Sequence, residues 1–375
     1  MKLQLLSILL ICILVQFLAC SEDTPTTPPI ELTLQEKLQK ALDDGIEKYN
    51  GKGVSVAIMM PDGEVWSGVS GISSGGVPVT TDMLFSAGSI TKMFTACTIL
   101  QLVEEGKIGL DDSLHEWLPI FPNVDDDITI KQLLNHTSGI FDLAENSDLM
   151  QSIVNEPNRI FTMEEVVQNY TLEPYFSKGT NWHYSSTGYL LLRMIIKKIT
   201  DAEISTQYRN RFFQPLGMNK SYTAPEEVIE NFAQAWLDLD GDGKYDKLPY
   251  LTSFYSTAGG GLFCTATDLV TWAHSLFQKR NVISASLYDK MIDFHSPCTG
   301  ESILEGYGLG VENFSAELFN NLNVWGHGGD ALGYAAACCY LPDYNICFAI
   351  MDNTQVGESM FVINDLVSII LDDNS

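Results

Sequence analysis

A chain of 375 residues that is 45% hydrophobic and 18% charged can bury a sizeable core, has room for more than one subdomain, and is not disordered in bulk. Its formal net charge of −27 argues against nucleic acid, because a phosphate backbone is held by a basic footprint that releases counterions. The same acidity disfavours long-range steering of anionic substrates and fits solubility outside a cell.

The chain opens with Lys2, an apolar run from Leu5 to Leu18, and Ala19-Cys20. That run is short for a membrane span and has the charged-then-apolar layout of a secretion signal over residues 1–20. A polar, Pro- and Thr-rich tether follows over residues 21–33. A cysteine after a small residue, heading such a tether, resembles a bacterial lipoprotein signal. Cys20 is therefore expected to be lipidated, anchoring an exported chain to the membrane of a bacterial cell envelope, in the periplasm or at the cell surface. Phe17-Leu18 departs from that signal, which has leucine followed by a small residue.

Thr33 and Glu36 form a T-x-x-E capping box, and Leu34, Leu38, Leu42 and Ile46 recur at helical spacing. A folded domain over 34–375 is expected to begin there. Val54, Val56 and Ile58 alternate, Pro61-Asp62-Gly63 turns, and Val65-Trp66 starts a return strand. Residues from about 90 to 300 read as mostly helical with long loops. Gly333 to Leu341 and Ile346 to Met351 form a second hairpin, and Glu358 to Leu371 places Phe361, Leu366, Val367 and Ile370 on one helical face. Strands at both ends enclosing a helical middle predict an α/β (α+β) fold. One sheet is built from both termini, with a helical subdomain inserted at about 110–300. The cysteines at 97, 264, 298, 338, 339 and 347 match no zinc spacing. Buried free thiols are expected, with a Cys339–Cys347 pair across the hairpin as the alternative.

Three segments carry candidate chemistry. In Ser89-Ile90-Thr91-Lys92, residues three apart share a helical face, so Lys92 lies beside the Ser89 hydroxyl. Met93, Phe94, Ala96, Cys97 and Leu100 would bury this helix and leave Ser89 in its first turn, where free N–H groups favour an oxyanion. Burial would make Lys92 a usable base for the serine. In Tyr184-Ser185-Ser186, the tyrosine could pass a proton to a leaving group if the lysine lowers its pKa. In His327-Gly328-Gly329, glycines on an edge strand let a substrate backbone approach, and strand N–H groups can complete an oxyanion hole. His327 could offer a hydrogen bond or a charge to a substrate carboxylate. Tyr208-Arg209-Asn210 also matches Y-x-N but lies in an ordinary amphipathic helix from Ile204 to Phe213.

In that order the three segments resemble the serine β-lactamase and penicillin-binding family, on its class C and D-alanyl-D-alanine carboxypeptidase side. Leu133-Leu134-Asn135-His136-Thr137-Ser138-Gly139, Pro215-Leu216-Gly217-Met218, Ala258-Gly259-Gly260-Gly261-Leu262 and Tyr307-Gly308-Leu309-Gly310 agree with it, over roughly residues 34–372. The resemblance implies an antiparallel sheet flanked by helices, an all-helical subdomain, and an active site between them. It implies Ser89 as acylated nucleophile, Lys92 as its base and Tyr184 as proton relay. The N–H groups of Ser89 and Asp330 would form the oxyanion hole, with His327 near the substrate's anionic end. The implied partners are small-molecule or peptide substrates: D-alanyl peptides, β-lactams, or small esters and amides. Ser186 stands where the family's second motif usually has Asn, and it lacks the amide's paired donor and acceptor.

The competing reading is a penicillin-binding-like binder or sensor that has lost turnover, which Ser186 favours and the other motif residues oppose. A metal-dependent hydrolase finds no H-E-x-x-H, and no cofactor or metal is expected. His136 reads as a loop brace. Asp238, Asp240, Asp242, Gly243 and Asp246 echo a calcium loop, but Pro249 occupies its twelfth position where a bidentate Glu is needed, so an acidic surface hairpin is expected.

Overall fold

The computed structural model describes residues 32–227, 229–257, 261–294, 298, 302–354 and 361–373. Cys20, the signal-like run, most of the tether, and Ala258, Gly259 and Gly260 of the glycine motif lie outside the described residues.

The first helix, α1 (Leu34–Lys48), begins where its cap requires. Thr33 N–H donates to the Glu36 carboxylate at 2.9 Å, and the Thr33 hydroxyl accepts from Glu36 N–H at 3.3 Å. Two strands follow, β1 (Gly53–Met59) and β2 (Val65–Gly71). The C-terminal third supplies β3 (Leu304–Tyr307), β4 (Glu312–Phe314), β5 (Trp325–Ala331), β6 (Tyr334–Leu341) and β7 (Ile346–Asp352). Together they form one antiparallel sheet in the order β2-β1-β7-β6-β5-β4-β3. β1 pairs Val54 with Asp352 and Met59 with Cys347 of β7, so the two ends of the chain share the sheet's centre.

The alternation in β1 sorts side chains between two cores, not between core and water. Val54, Val56 and Ile58 join Leu38 and Leu42 of α1 and Leu366 and Ile370 of the C-terminal helix (Val362–Asp373). Ala57 and Met59 join the larger cluster on the other face, and every residue of β1 is buried. A sheet covered on both faces needs apolar residues at both parities.

The helices of that second layer lie between β2 and β3 in sequence. α2 (Thr91–Glu104) is buried all round from Thr91 to Leu100, so its polar side chains must be satisfied inside the protein. The Thr98 hydroxyl donates to the Phe94 carbonyl at 2.8 Å, and the Thr95 and Tyr208 hydroxyls bond at 2.6 Å. α3 (Ser186–Thr200) packs against α2 on one side. On the other, α4 (Ala266–Ala273) lies against the sheet and stacks Trp272 on Phe94 with centroids 3.9 Å apart. The six cysteines among the described residues are free and buried. The hairpin register sets Cys347 opposite Tyr340 and Cys339 opposite Phe348, so the alternative Cys339–Cys347 pair does not form.

Candidate active site

Ser89 lies in a 3-10 turn, Gly88–Ile90, that leads directly into α2. Gly88 has φ +51°, and a Cβ there would stand 2.6 Å from the Asp330 carbonyl oxygen. From the opposite side, a Cβ on Gly329 would stand 2.1 Å from the Ala87 carbonyl oxygen. The turn carrying Ser89 and the strand carrying Asp330 therefore meet backbone to backbone, which only glycine permits at these two points.

One helical turn on, Lys92 Nζ donates to Ser89 Oγ at 3.0 Å and to Ser186 Oγ at 3.4 Å. Lys92 is 1% exposed, and its ammonium lies 4.7 Å from the centre of the Tyr184 ring and 5.6 Å from that of Tyr189. Burial lowers its pKa from 10.5 to about 8, while the carboxylates of Asp142 and Glu312 pull it back up. Roughly one such lysine in ten is neutral at pH 7, enough to supply a base without a metal or an imidazole.

Tyr184 hydrogen-bonds the Ser89 side chain, as a relay requires, but its pKa moves opposite to the sequence expectation. Burial, with Glu312 next in size, raises it well above 10, so the resting phenol keeps its proton. Ser186 opens α3, its N–H donating to Asp142 Oδ1 at 3.1 Å. These groups line one cleft of about 550 Å³, with Gly328, Gly329 and Asp330 on the opposing wall. Much of the remaining wall is apolar, with Leu149, Met150, Ile153, Phe254, Phe314 and Phe319.

Residues 38–371 match the family model described as Beta-lactamase. The chain belongs to the β-lactamase family of serine hydrolases. It is 27% identical over 348 residues to a penicillin-binding protein 4 of Amycolatopsis lactamdurans, covering 86% of each chain. A penicillin-binding protein 4* of Bacillus subtilis is 28% identical over 297 residues, but this chain spans only 62% of that relative's length against 74% of its own. Among solved structures, a D-stereospecific amidohydrolase from Streptomyces superposes with a TM-score of 0.76 at 28% identity, covering 87% of this chain and 96% of that one. A D-amino acid amidase from Ochrobactrum anthropi SV3 shares the fold with a TM-score of 0.79 at 24% identity, over 91% and 99% of the two chains.

Expected near the substrate's anionic end, His327 is 0% exposed and does not line the cleft. Its Nε2 bonds the Tyr307 hydroxyl at 2.9 Å and its Nδ1 meets the Gly328 carbonyl oxygen at 2.5 Å. Burial first, and the Lys92 charge second, lower its pKa from 6.5 to about 3, so the imidazole is neutral. Glu312 faces the cleft and accepts from Gly328 N–H at 2.6 Å.

Two carboxylates at the site escaped the sequence reading. Asp142 interrupts the apolar stretch Ile140-Phe141-Asp142-Leu143-Ala144, and a lone acid in such a run is the signal that could have found it. Burial raises its pKa, opposed by hydrogen bonds from Ala144 and Ser186 N–H and by Lys92. Glu312 follows Tyr307-Gly308-Leu309-Gly310. Gly310, at φ +80°, passes so close to α2 that a Cβ would stand 2.6 Å from that of Ala96.

The remaining candidates sit elsewhere. His136 is buried and accepts from Ser185 N–H at 3.1 Å, bracing the Tyr184 segment, with its ring 4.3 Å from that of Tyr184. Tyr208 is buried against Thr95 in a short helix, Ile204–Tyr208, that continues as a π-turn over Arg209–Phe213. Asp238, Asp240 and Asp242 cluster beyond a two-stranded hairpin of Trp236–Leu237 and Asp246–Lys247, where their carboxylates accept from the loop's own N–H groups.

Proposed function

We propose that the chain hydrolyses acyl compounds through a covalent ester on Ser89. The observation that carries this is the 3.0 Å contact between Ser89 Oγ and a buried Lys92 whose pKa falls to about 8. Neutral Lys92 takes the Ser89 proton as Oγ attacks the substrate carbonyl. The N–H groups of Ser89 and Asp330, on backbones held in contact, receive the developing oxyanion. Tyr184, protonated at rest, gives its proton to the leaving group and recovers one from the Lys92 ammonium. Water then attacks the ester, with Lys92 or Tyr184 accepting its proton. Of the acyl donors that the resemblance implies, which are D-alanyl peptides, β-lactams and small esters or amides, the neutral esters and amides are favoured. The likeness to a D-stereospecific amidohydrolase supports the amides.

Mass spectrometry after exposure to a fluorophosphonate and, separately, a penicillin tests this. An adduct confined to Ser89 is expected. No adduct on Ser89 with either probe overturns the reading, and an adduct without turnover of any activated ester or amide identifies a binder instead of a hydrolase.

The proposed setting is a bacterial cell envelope, supported by the signal-like run, the tether and Cys20. Incorporation of radiolabelled palmitate that disappears in Cys20→Ser checks the anchor.

A further inference from the structure

Resting on that reading, we infer that the cleft selects acyl donors that are neutral on the leaving-group side and carry a bulky apolar acyl group, and discriminates against anionic substrates such as β-lactams and peptides with a free C-terminus.

A site for a substrate carboxylate needs a cation or a set of donors that survives the catalytic cycle. Among the described residues that line the cleft, Lys92 is the one lysine or arginine. The stretches between 32 and 373 that lie outside the described residues contain neither lysine nor arginine in sequence. Lys92 cannot serve both tasks. It must be neutral to accept the Ser89 proton, and a bound carboxylate beside it would hold it protonated. His327, which would supply the charge, is buried beside Tyr184 with its ring nitrogens on Tyr307 and the Gly328 carbonyl.

The cleft presents acids where a cation would be needed. Asp142, Glu312 and Asp330 all line it, and Glu312 also takes the Gly328 N–H at 2.6 Å. A carboxylate wall, ionised or protonated, offers an incoming carboxylate no positive charge, and when ionised it repels it. The rest of the lining asks for a different ligand. Leu149, Met150, Ile153, Phe254, Phe314 and Phe319 surround space that a benzyl-sized acyl group fills, and burying it there is favourable.

The test uses two phenylacetylglycyl thioesters, one of 3-mercaptobenzamide and one of 3-mercaptobenzoate, with each rate divided by its alkaline hydrolysis rate. The neutral ester should have a kcat/KM at least ~10-fold higher, and an acetylglycyl analogue should fall at least ~10-fold below the phenylacetyl one. Glu312→Gln should narrow the neutral-to-anionic ratio, a readout that partial misfolding cannot move. Raising the ionic strength should narrow it in the wild-type protein. An equal or reversed ratio overturns the inference, as does one insensitive to both Glu312→Gln and salt. If neither thioester turns over, each competes against fluorophosphonate labelling of Ser89, and better protection by the anionic compound overturns it. Absence of any Ser89 label sinks the hydrolase reading itself, separately from its selectivity.

Discussion

Lys92 and His327 are both buried beside Tyr184, and burial lowers the pKa of both, yet they end in different states. Lys92 falls from 10.5 to about 8 because Asp142 and Glu312 restore part of what burial removes. His327 falls from 6.5 to about 3 because its second-largest influence is Lys92 itself. Two basic groups buried close together disfavour each other's charge, and here the imidazole is the one left neutral. A wall that looks like a charge clamp in sequence thereby becomes a neutral structural element, leaving a single titrating base.

The sharpest way to break this contrast is to remove what Lys92 acts on. Ser89→Ala should abolish covalent labelling and acyl turnover while keeping the fold, since it deletes one oxygen from a turn. Residual hydrolysis of an activated ester above background would move the nucleophile elsewhere. Lys92→Ala should slow acylation at least ~10²-fold, the scale of a lost general base, measured by single-turnover kinetics. In the wild-type protein the acylation rate should climb with pH through about 8, because the neutral amine is the active form and its fraction grows as the ammonium deprotonates. A rate independent of pH between 6 and 9 would remove lysine from the mechanism.

His327 should behave differently, affecting stability more than chemistry. Its folded pKa lies below that of the unfolded chain, so the unfolded state binds more protons between about pH 6.5 and 3. The stability it contributes is present above 6.5 and is lost as pH falls through that window. His327→Gln should shrink the difference between urea-unfolding free energies at pH 7 and pH 5. A larger difference would contradict the neutral assignment. Smallest of all, Ser186→Ala removes one long contact to Lys92 and should cost only several-fold in kcat/KM, about 1 kcal/mol for one hydrogen bond.

What the sequence made legible follows the same division. The pairing of Ser89 with Lys92 was readable because helical geometry alone joins them, and the Thr33 cap and both hairpins are local in the same sense. The opposite wall was not. His327 lies on the face that meets Tyr184, but Tyr307, from another strand, takes its Nε2, and nothing local in the sequence reports that partner. The roles of Asp142 and Glu312 were invisible for a related reason, although Asp142 stood out as a lone acid in an apolar run. Each acts on Lys92 from a different part of the chain, and nothing in its own neighbourhood reports that distance. The direction of the Tyr184 shift was missed as well, since burial is its largest cause and Glu312 its second.

The two glycines that bring the walls together carry a further consequence. Because Gly88 and Gly329 meet the facing backbones directly, the cleft's width is set by main-chain van der Waals radii and not by any rotamer. Mutations along the lining can repaint the cleft in size, polarity or sign while the gauge between nucleophile and strand stays constant. A methyl group at Gly329 would wedge that gauge open for every substrate alike. The scaffold thus separates two inheritances, one fixed in the backbone that governs whether acyl transfer happens, and one written in side chains that governs to what.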